Sequence, residues 1–215
     1  MIQPVPLDPS LQTAFTRLIA VHTGWQIRPQ DQINFSQQIQ LRAAKRSLAS
    51  VDDYYQLLAA QTPDSEQEWK KLIALLTNSE SFFFRDRGQF EVLRQHVLPE
   101  LIQRHRSDRR LRILSAGCST GEEPYSIAIL LKQLIPDIDS WDLTLLGTDI
   151  DEQSLQHAEA GQYRSWSLRG VDETIKQQYF RLAQEQYQLH RDVKRLVRFQ
   201  AMNLVEDAVA SHKSF

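Results

Sequence analysis

A chain of 215 residues, 41% hydrophobic and 24% charged, carries enough apolar surface for one large domain or two small ones. Its 25 lysines and arginines against 27 acids leave a formal charge of -2, which supplies no global attraction to nucleic acid or anionic lipid and makes any electrostatic recognition local. Cys118 is the single cysteine, which excludes an intramolecular disulfide. With no apolar run near the roughly 20 residues of a membrane span and no basic-then-apolar amino terminus, the sequence reads as cytoplasmic and without membrane insertion.

Residues 1–76 carry helical patterning and almost no strand signal. Leu11, Phe15, Leu18, Ile19 and His22 recur at steps of three and four, and Gly24 stands where a helix C-cap is expected. A second helix is expected from Phe35 to Leu48, with a basic face made by Arg42, Lys45 and Arg46, and a shorter one from Asp52 to Ala60. Pro63, Asp64 and Glu66 mark the start of a fourth, whose stripe is Trp69, Leu72, Ile73 and Leu76. A small helical bundle is expected. The arginine-rich run from Arg94 to Arg112 reads as a solvated helix end.

From about Arg110 the pattern changes. LRILSAGC is a short apolar strand, EEPYSIAILLKQLI is helical and LTLLGTDID is a second strand, so the order is βαβ and the sheet parallel. The stretch QYQLHRDVKRLVRFQAMNL suggests two or three short strands, read as antiparallel and outside the main sheet.

Ligands of open α/β sheets bind at the carboxyl ends of the strands, where the loop after the first strand must let them approach the backbone. Gly117 and Gly121 permit this in a G-x-x-x-G spacing, and Asp149 ends the second strand 28 residues after Gly121, where an acid can accept hydrogen bonds from both ribose hydroxyls. The alternative is that the glycines only shape a turn and Asp149 caps the next helix. Glu122 and Glu123 suit the positive end of a helix dipole, but they would repel a pyrophosphate and favour a cationic ligand such as S-adenosylmethionine. The phosphate-loop motif is absent. No histidine or cysteine spacing suggests a metal site, and Cys118 has no nearby histidine to activate it as a nucleophile.

A further stretch, LTNSESFFFRDRGQF, places three phenylalanines before Arg85, a cation suited to clamping a carboxylate. Together SESFFFRD, SAGCSTGEEPYS, GTDID, AGQYR and MNL occur in the order seen in the chemotaxis receptor methyltransferases, and the chain resembles these CheR-type protein-glutamate O-methyltransferases over roughly residues 11 to 215. The family's N-x-T-x-F-F-R form is here SESFFFR, with serines at the asparagine and threonine positions.

The resemblance implies an all-α helical bundle over residues 1–76. It further implies a Rossmann-like class I methyltransferase domain over 77–215, with a partial sheet and a small β-subdomain at about 162–198. It implies S-adenosylmethionine as cofactor and S-adenosylhomocysteine as product. By motif position Arg85 would lie beside the methionine part and the incoming carboxylate, with Ser79 and Ser81 at the same corner. Gly117, Gly121 and Glu123 would contact the cofactor, Asp149 the ribose, and Asn203 with the Leu204 backbone the adenine. The implied substrates are glutamates on the cytoplasmic helices of chemoreceptors, docked through Arg42, Lys45 and Arg46 by a monomer. The family's next segment beyond Phe215, a central fourth strand and further cofactor contacts, is not in this sequence, so the expected sheet has an exposed edge on its first strand. Two other readings stay open: a non-catalytic module that binds receptor or cofactor, and, more weakly, a nicotinamide oxidoreductase.

Overall fold

In the computed structural model, which describes residues 7–77 and 80–205, the amino-terminal helices start and stop at residues that cap them. Helix α1 (Pro9–Thr23) begins at Asp8, whose carboxylate accepts from the Ser10 and Leu11 N–H groups. It ends at Gly24 (φ 75°), which returns its N–H to the Ala20 carbonyl. Helix α2 (Gln32–Lys45) starts and ends about three residues before the expected span, because Ser47 turns left-handed (φ 53°) and the Leu48 N–H folds back to Ala43. A reciprocal capping box between Ser50 and Asp53 opens α3 (Val51–Ala59), and Thr62 caps α4 (Pro63–Leu76). These helices bury Phe15, Ile19, Ile39, Leu58 and Leu72 almost completely. They belong to the first of two compact units, which also takes in residues 203–205, while the second spans the described residues from Glu80 to Met202.

One charged residue of the helical unit points the other way from its expected direction. Arg42 turns inward and donates from Nε and Nη2, each at 2.7 Å, to the two carboxylate oxygens of Glu68 on α4. The Tyr54 hydroxyl donates to the same carboxylate at 3.0 Å, and Glu68 is fully buried. Arg42 is therefore a core ion pair and not part of a docking face. Arg46 pairs with Asp64 at the rim, and Lys45 is exposed.

In the second unit, α5 (Arg87–Val92) runs through a single π turn at Leu93–Val97 into α6 (Leu98–Arg104). The widened turn, in which the Leu98 N–H reaches back five residues to Leu93, accommodates Pro99, which has no N–H of its own to give. The arginines of this region are mostly paired with acids: Arg94 with Glu91, Arg104 with Glu100, and Arg110 and Arg112 with Asp142. They form a solvated surface.

Strand β1 (Arg110–Ala116), helix α7 (Glu122–Leu134) and strand β2 (Asp142–Asp149) form the βαβ unit, with β1 and β2 parallel and Arg110 opposite Asp142. Pro124 to Leu131 of α7 are all buried, so this helix is covered on every side and packs in the core with Leu111, Leu145 and Val197. Helix α8 (Glu152–Ala160) follows. Strand β3 (Gln162–Tyr163), helix α9 (Glu173–Tyr179) and strands β4 (Phe180–Ala183) and β5 (Gln186–Leu189) build a separate antiparallel sheet in the order β3-β5-β4. The β4–β5 hairpin turns on just Gln184 and Glu185, both left-handed. After α10 (Arg191–Lys194), strand β6 (Val197–Ala201) joins the main sheet parallel to β2, giving the order β1-β2-β6. This corrects the reading of VRFQA as antiparallel and of a subdomain reaching 198: the antiparallel sheet ends at Leu189. The mixed helix and parallel sheet is of the Rossmann-like kind.

Candidate functional site

The loop between β1 and α7 is shaped by three left-handed residues in alternate positions. Gly117 (φ 70°), Ser119 (φ 51°) and Gly121 (φ 88°) alternate with Cys118 and Thr120. A Cβ on Gly121 would lie 2.7 Å from the Ala158 Cβ and 3.1 Å from the Phe199 ring, so its hydrogen is what allows α7 to start against α8 and β6. Gly117 is the opposite case. Nothing lies within 4 Å of where its Cβ would be, so its left-handed backbone faces open space in which a ligand can approach.

The strand ends hold the loop. Cys118 N–H donates to the Thr148 carbonyl (2.9 Å), which prolongs the β1–β2 ladder, and the Gly121 N–H closes the turn onto Cys118 (3.0 Å). Ser119 N–H donates to one oxygen of Asp149 at 2.7 Å, and Asp151 N–H donates to the other at 2.9 Å. Asp149 thus clasps the glycine loop from the end of β2, and each oxygen keeps a further lone pair. It does not cap the following helix: Asp151 does, accepting from Gln153 N–H and the Ser154 hydroxyl. The Met202 N–H donates to the Asp149 carbonyl at 2.9 Å, so the end of β6 is fastened at the same point.

Three acids gather on this side of the sheet. Glu123 is exposed and accepts from the Ser115 hydroxyl (2.7 Å), whereas Glu122 is only 2% exposed and accepts from the Thr120 hydroxyl (2.6 Å). The Tyr163 hydroxyl donates to the Thr120 carbonyl at 2.8 Å. Burial pushes the Cys118 thiol up to about 12, with the charges of Asp149, Glu123 and Glu122 adding to it. A buried thiol held neutral in this field is not a nucleophile. Burial, then Glu122, likewise raises Tyr163. The field favours a cation.

The segment carrying Arg85 reaches the same helix start. The Phe84 N–H donates to the Ser126 hydroxyl (3.0 Å) in the first turns of α7, and that hydroxyl donates to the Glu122 carbonyl. Phe83 is buried edge-on against Tyr163 and Phe180, with centroids 4.8 and 4.9 Å away, and the half-buried Phe84 lies edge-on to Phe90 at 5.4 Å, so two of the three rings act as packing. Arg85 is exposed and donates from Nη1 to the Glu80 carbonyl at 3.0 Å.

The expected site residues therefore fall into three groups. Gly117, Gly121, Glu123 and Asp149 meet at the carboxyl edge of β1 and β2, and Arg85 and the half-buried Ser81 sit on the segment tied to α7 through Ser126. Asn203 and Leu204 belong to the helical unit, where the Asn203 amide donates to the His22 carbonyl (2.6 Å) and Leu204 is half exposed. Ser79 lies outside the described residues. Sequence reasoning passed over Ser115, Thr120 and Ser126, small hydroxyls that orient the acids and the Arg85 segment; Thr120 and Ser126 stand within one turn of Glu122, which was an available signal, while Ser115 meets Glu123 eight residues on and gave none. Among the described residues no cluster is placed to hold a metal, and no helix is long and apolar enough to cross a membrane.

A parallel sheet with a glycine loop clasped by an acid at the end of its second strand defines a nucleoside-binding α/β protein. Residues 79–215 match the family described as CheR methyltransferase, SAM binding domain, and the chain belongs to that family. It is 38% identical over 162 residues to a probable chemotaxis protein methyltransferase of Rhizobium etli, covering 74% of this chain and 60% of that protein. It is 37% identical to chemotaxis protein methyltransferase 2 of Vibrio cholerae (72% and 53%) and 35% identical to chemotaxis protein methyltransferase 1 of Pseudomonas aeruginosa (67% and 54%). The chain thus spans roughly half to three-fifths of the relatives it matches.

Proposed function

We propose that residues 77–215 form an incomplete class I methyltransferase domain carrying a small β-subdomain, and that the protein transfers methyl groups from S-adenosylmethionine to glutamate side chains of chemoreceptors in the cytoplasm. The observation that carries this reading is the Asp149 carboxylate closing the Gly117–Gly121 loop while keeping lone pairs for a ribose. The site fits the cofactor: Gly117 leaves its face of the loop open, and Glu122, Glu123 and Asp149 suit a ligand bearing a sulfonium and an ammonium. Gly117, Gly121, Glu123 and Asp149 would hold it, with Ser79, Ser81, Asn203 and Leu204 as further contacts by motif position.

Bound there, the cofactor supplies an electrophilic methyl group whose bonding pair departs with neutral sulfur. The nucleophile needs no general base, since a glutamate with a pKa near about 4.3 is ionised at neutral pH. What remains for the protein is to align and desolvate that carboxylate, and Arg85, the cation on the segment tied to α7, is the residue for it. Receptor docking through a basic surface is left to Lys45 and Arg46, since Arg42 is spent on Glu68.

Two measurements on the full-length protein test the reading: calorimetry with S-adenosylhomocysteine, and methyl incorporation into receptor. Asp149→Ala is expected to weaken cofactor binding at least about tenfold, roughly 1.4 kcal/mol, and to reduce methylation with it. Equal binding by parent and variant sinks the ribose assignment. Binding without any methyl incorporation by the parent leaves a non-catalytic module.

A further inference from the structure

We infer that Arg169 is a positioning residue for Arg85, fixing the segment that carries it and keeping its guanidinium available for a substrate carboxylate; this rests on the reading of Arg85 given above. Phe84 (φ 55°) and Asp86 (φ 59°), the two neighbours of Arg85, are both left-handed and neither is glycine. Each costs about 1–2 kcal/mol, so the conformation persists only where its surroundings impose it. One short stretch, residues 165–170, supplies much of that. The Phe83 N–H donates to the Ser167 carbonyl at 2.9 Å, and Arg87 donates to the Gly170 carbonyl at 3.0 Å.

Arg169 adds contacts of its own. Its guanidinium carbon lies 3.8 Å from the centroid of Phe82 and 4.1 Å from that of Trp166, and it donates to the Trp166 carbonyl at 2.8 Å. Its Nη2 is 3.2 Å from the Glu80 carboxylate. Arg85 approaches the same two residues, with its guanidinium 5.7 Å from the Phe82 ring and a hydrogen bond to the Glu80 carbonyl. The division of labour is chemical. Arg169 pairs with the Glu80 carboxylate, so among the described residues the hydrogen bond of Arg85 goes to a neutral carbonyl and its other N–H donors remain for an incoming anion. Without Arg169, the Glu80 carboxylate, on the residue whose carbonyl Arg85 already reaches, becomes a competitor for Arg85. A planar guanidinium suits both tasks, since it can stack on Phe82 and Trp166 while donating in its plane; a lysine can only replace the charge.

The test is a mutant cycle in the full-length protein, read by methyl incorporation into receptor, calorimetry with S-adenosylhomocysteine and amide hydrogen exchange. Arg169→Ala is expected to lower kcat about tenfold or more while KM for receptor and cofactor affinity stay within about threefold, because misplacing a positioning group acts on the aligned state. The Phe83 amide is expected to exchange faster. Glu80→Gln added to Arg169→Ala is expected to restore part of the lost kcat. In an Arg85→Ala background, Arg169→Ala is expected to change turnover less than about twofold, since the two act as one unit. Equal losses in both backgrounds, or unchanged turnover in Arg169→Ala, overturn the inference while leaving the role of Arg85 intact. Unchanged turnover in Arg85→Ala instead sinks the reading of Arg85, and the inference with it. Should Arg169→Ala not fold, Arg169→Lys runs the same cycle; a smaller loss of the same pattern is expected, and no loss overturns the inference.

Discussion

Among the described residues two glutamates are almost fully buried, and they are kept there by opposite means. Glu68 in the helical unit has a bidentate arginine and a tyrosine hydroxyl on its carboxylate, so its charge is cancelled where it sits. Glu122, at the start of α7, has the Thr120 hydroxyl, the helix start and, among the described residues, no cation paired with it. The first arrangement is complete without any ligand. The second leaves a negative charge in a low-dielectric corner beside Asp149 and Glu123, which favours arrival of a positive ligand. A buried charge with its counterion beside it is architecture; Glu122, with none among the described residues, leaves a field that a cationic ligand can answer.

The comparison can be broken most forcefully at Glu68. Glu68→Ala strands the Arg42 cation inside the bundle and is expected to cost about 3–5 kcal/mol in chemical denaturation, whereas Arg42→Met with Glu68→Met is expected to stay close to the parent. A loss under about 1 kcal/mol for the single variant would show water reaching Arg42 and reduce the pair to a surface bridge.

The pH dependence of the second unit is the next test. Because the folded protein holds Cys118 up to about 12, against an ordinary 9.0, the neutral thiol contributes stability that is fully present below about pH 9 and is lost as pH rises toward 12. The slope attributable to it is expected to be about 1 kcal/mol per pH unit in that window and absent from Cys118→Ala. Identical slopes would mean that neither burial nor the three acids act on that thiol.

The smallest effect is the most specific. Glu122→Gln keeps the Thr120 hydrogen bond and removes the charge, so binding of S-adenosylmethionine is expected to weaken about threefold more than binding of S-adenosylhomocysteine, which lacks the sulfonium charge. Equal weakening of both ligands would make Glu122 a packing residue like any other.

Features decided within a few residues were legible in the sequence. Gly24, Pro63 and the G-x-x-x-G loop mark their turns by local backbone chemistry, and the alternation of LRILSAGC, a helix and LTLLGTDID was enough for a parallel βαβ unit. Features decided by distant partners were not. Arg42 has the same spacing as Lys45 and Arg46 on a helix, and what turns it inward is Glu68, 26 residues further on. VRFQA has the composition of any short strand; only its ladder with Leu145 to Asp149 makes it parallel and part of the main sheet. The sequence offers Asp149 as a ribose acceptor or a helix cap, while the structure gives it a third task, gripping Ser119 from across the loop. Arg169 carried no signal, since its meaning lies in Glu80, Phe82 and Trp166 together.

Among the described residues strand β1 pairs with β2 on one side only, and along that strand Arg110, Arg112, Leu114 and Ala116 are exposed. An unpaired strand edge is adhesive: its free amides and carbonyls accept any extended segment that comes near, and Leu114, 45% exposed, adds an apolar foothold. The two arginines, both drawn to Asp142 of β2, act as gatekeepers, since a second copy adding edge to edge would bring their like charges together. Colloidal behaviour of this stretch of chain on its own should therefore track salt, with screening of those cations loosening the gate before the fold itself is touched.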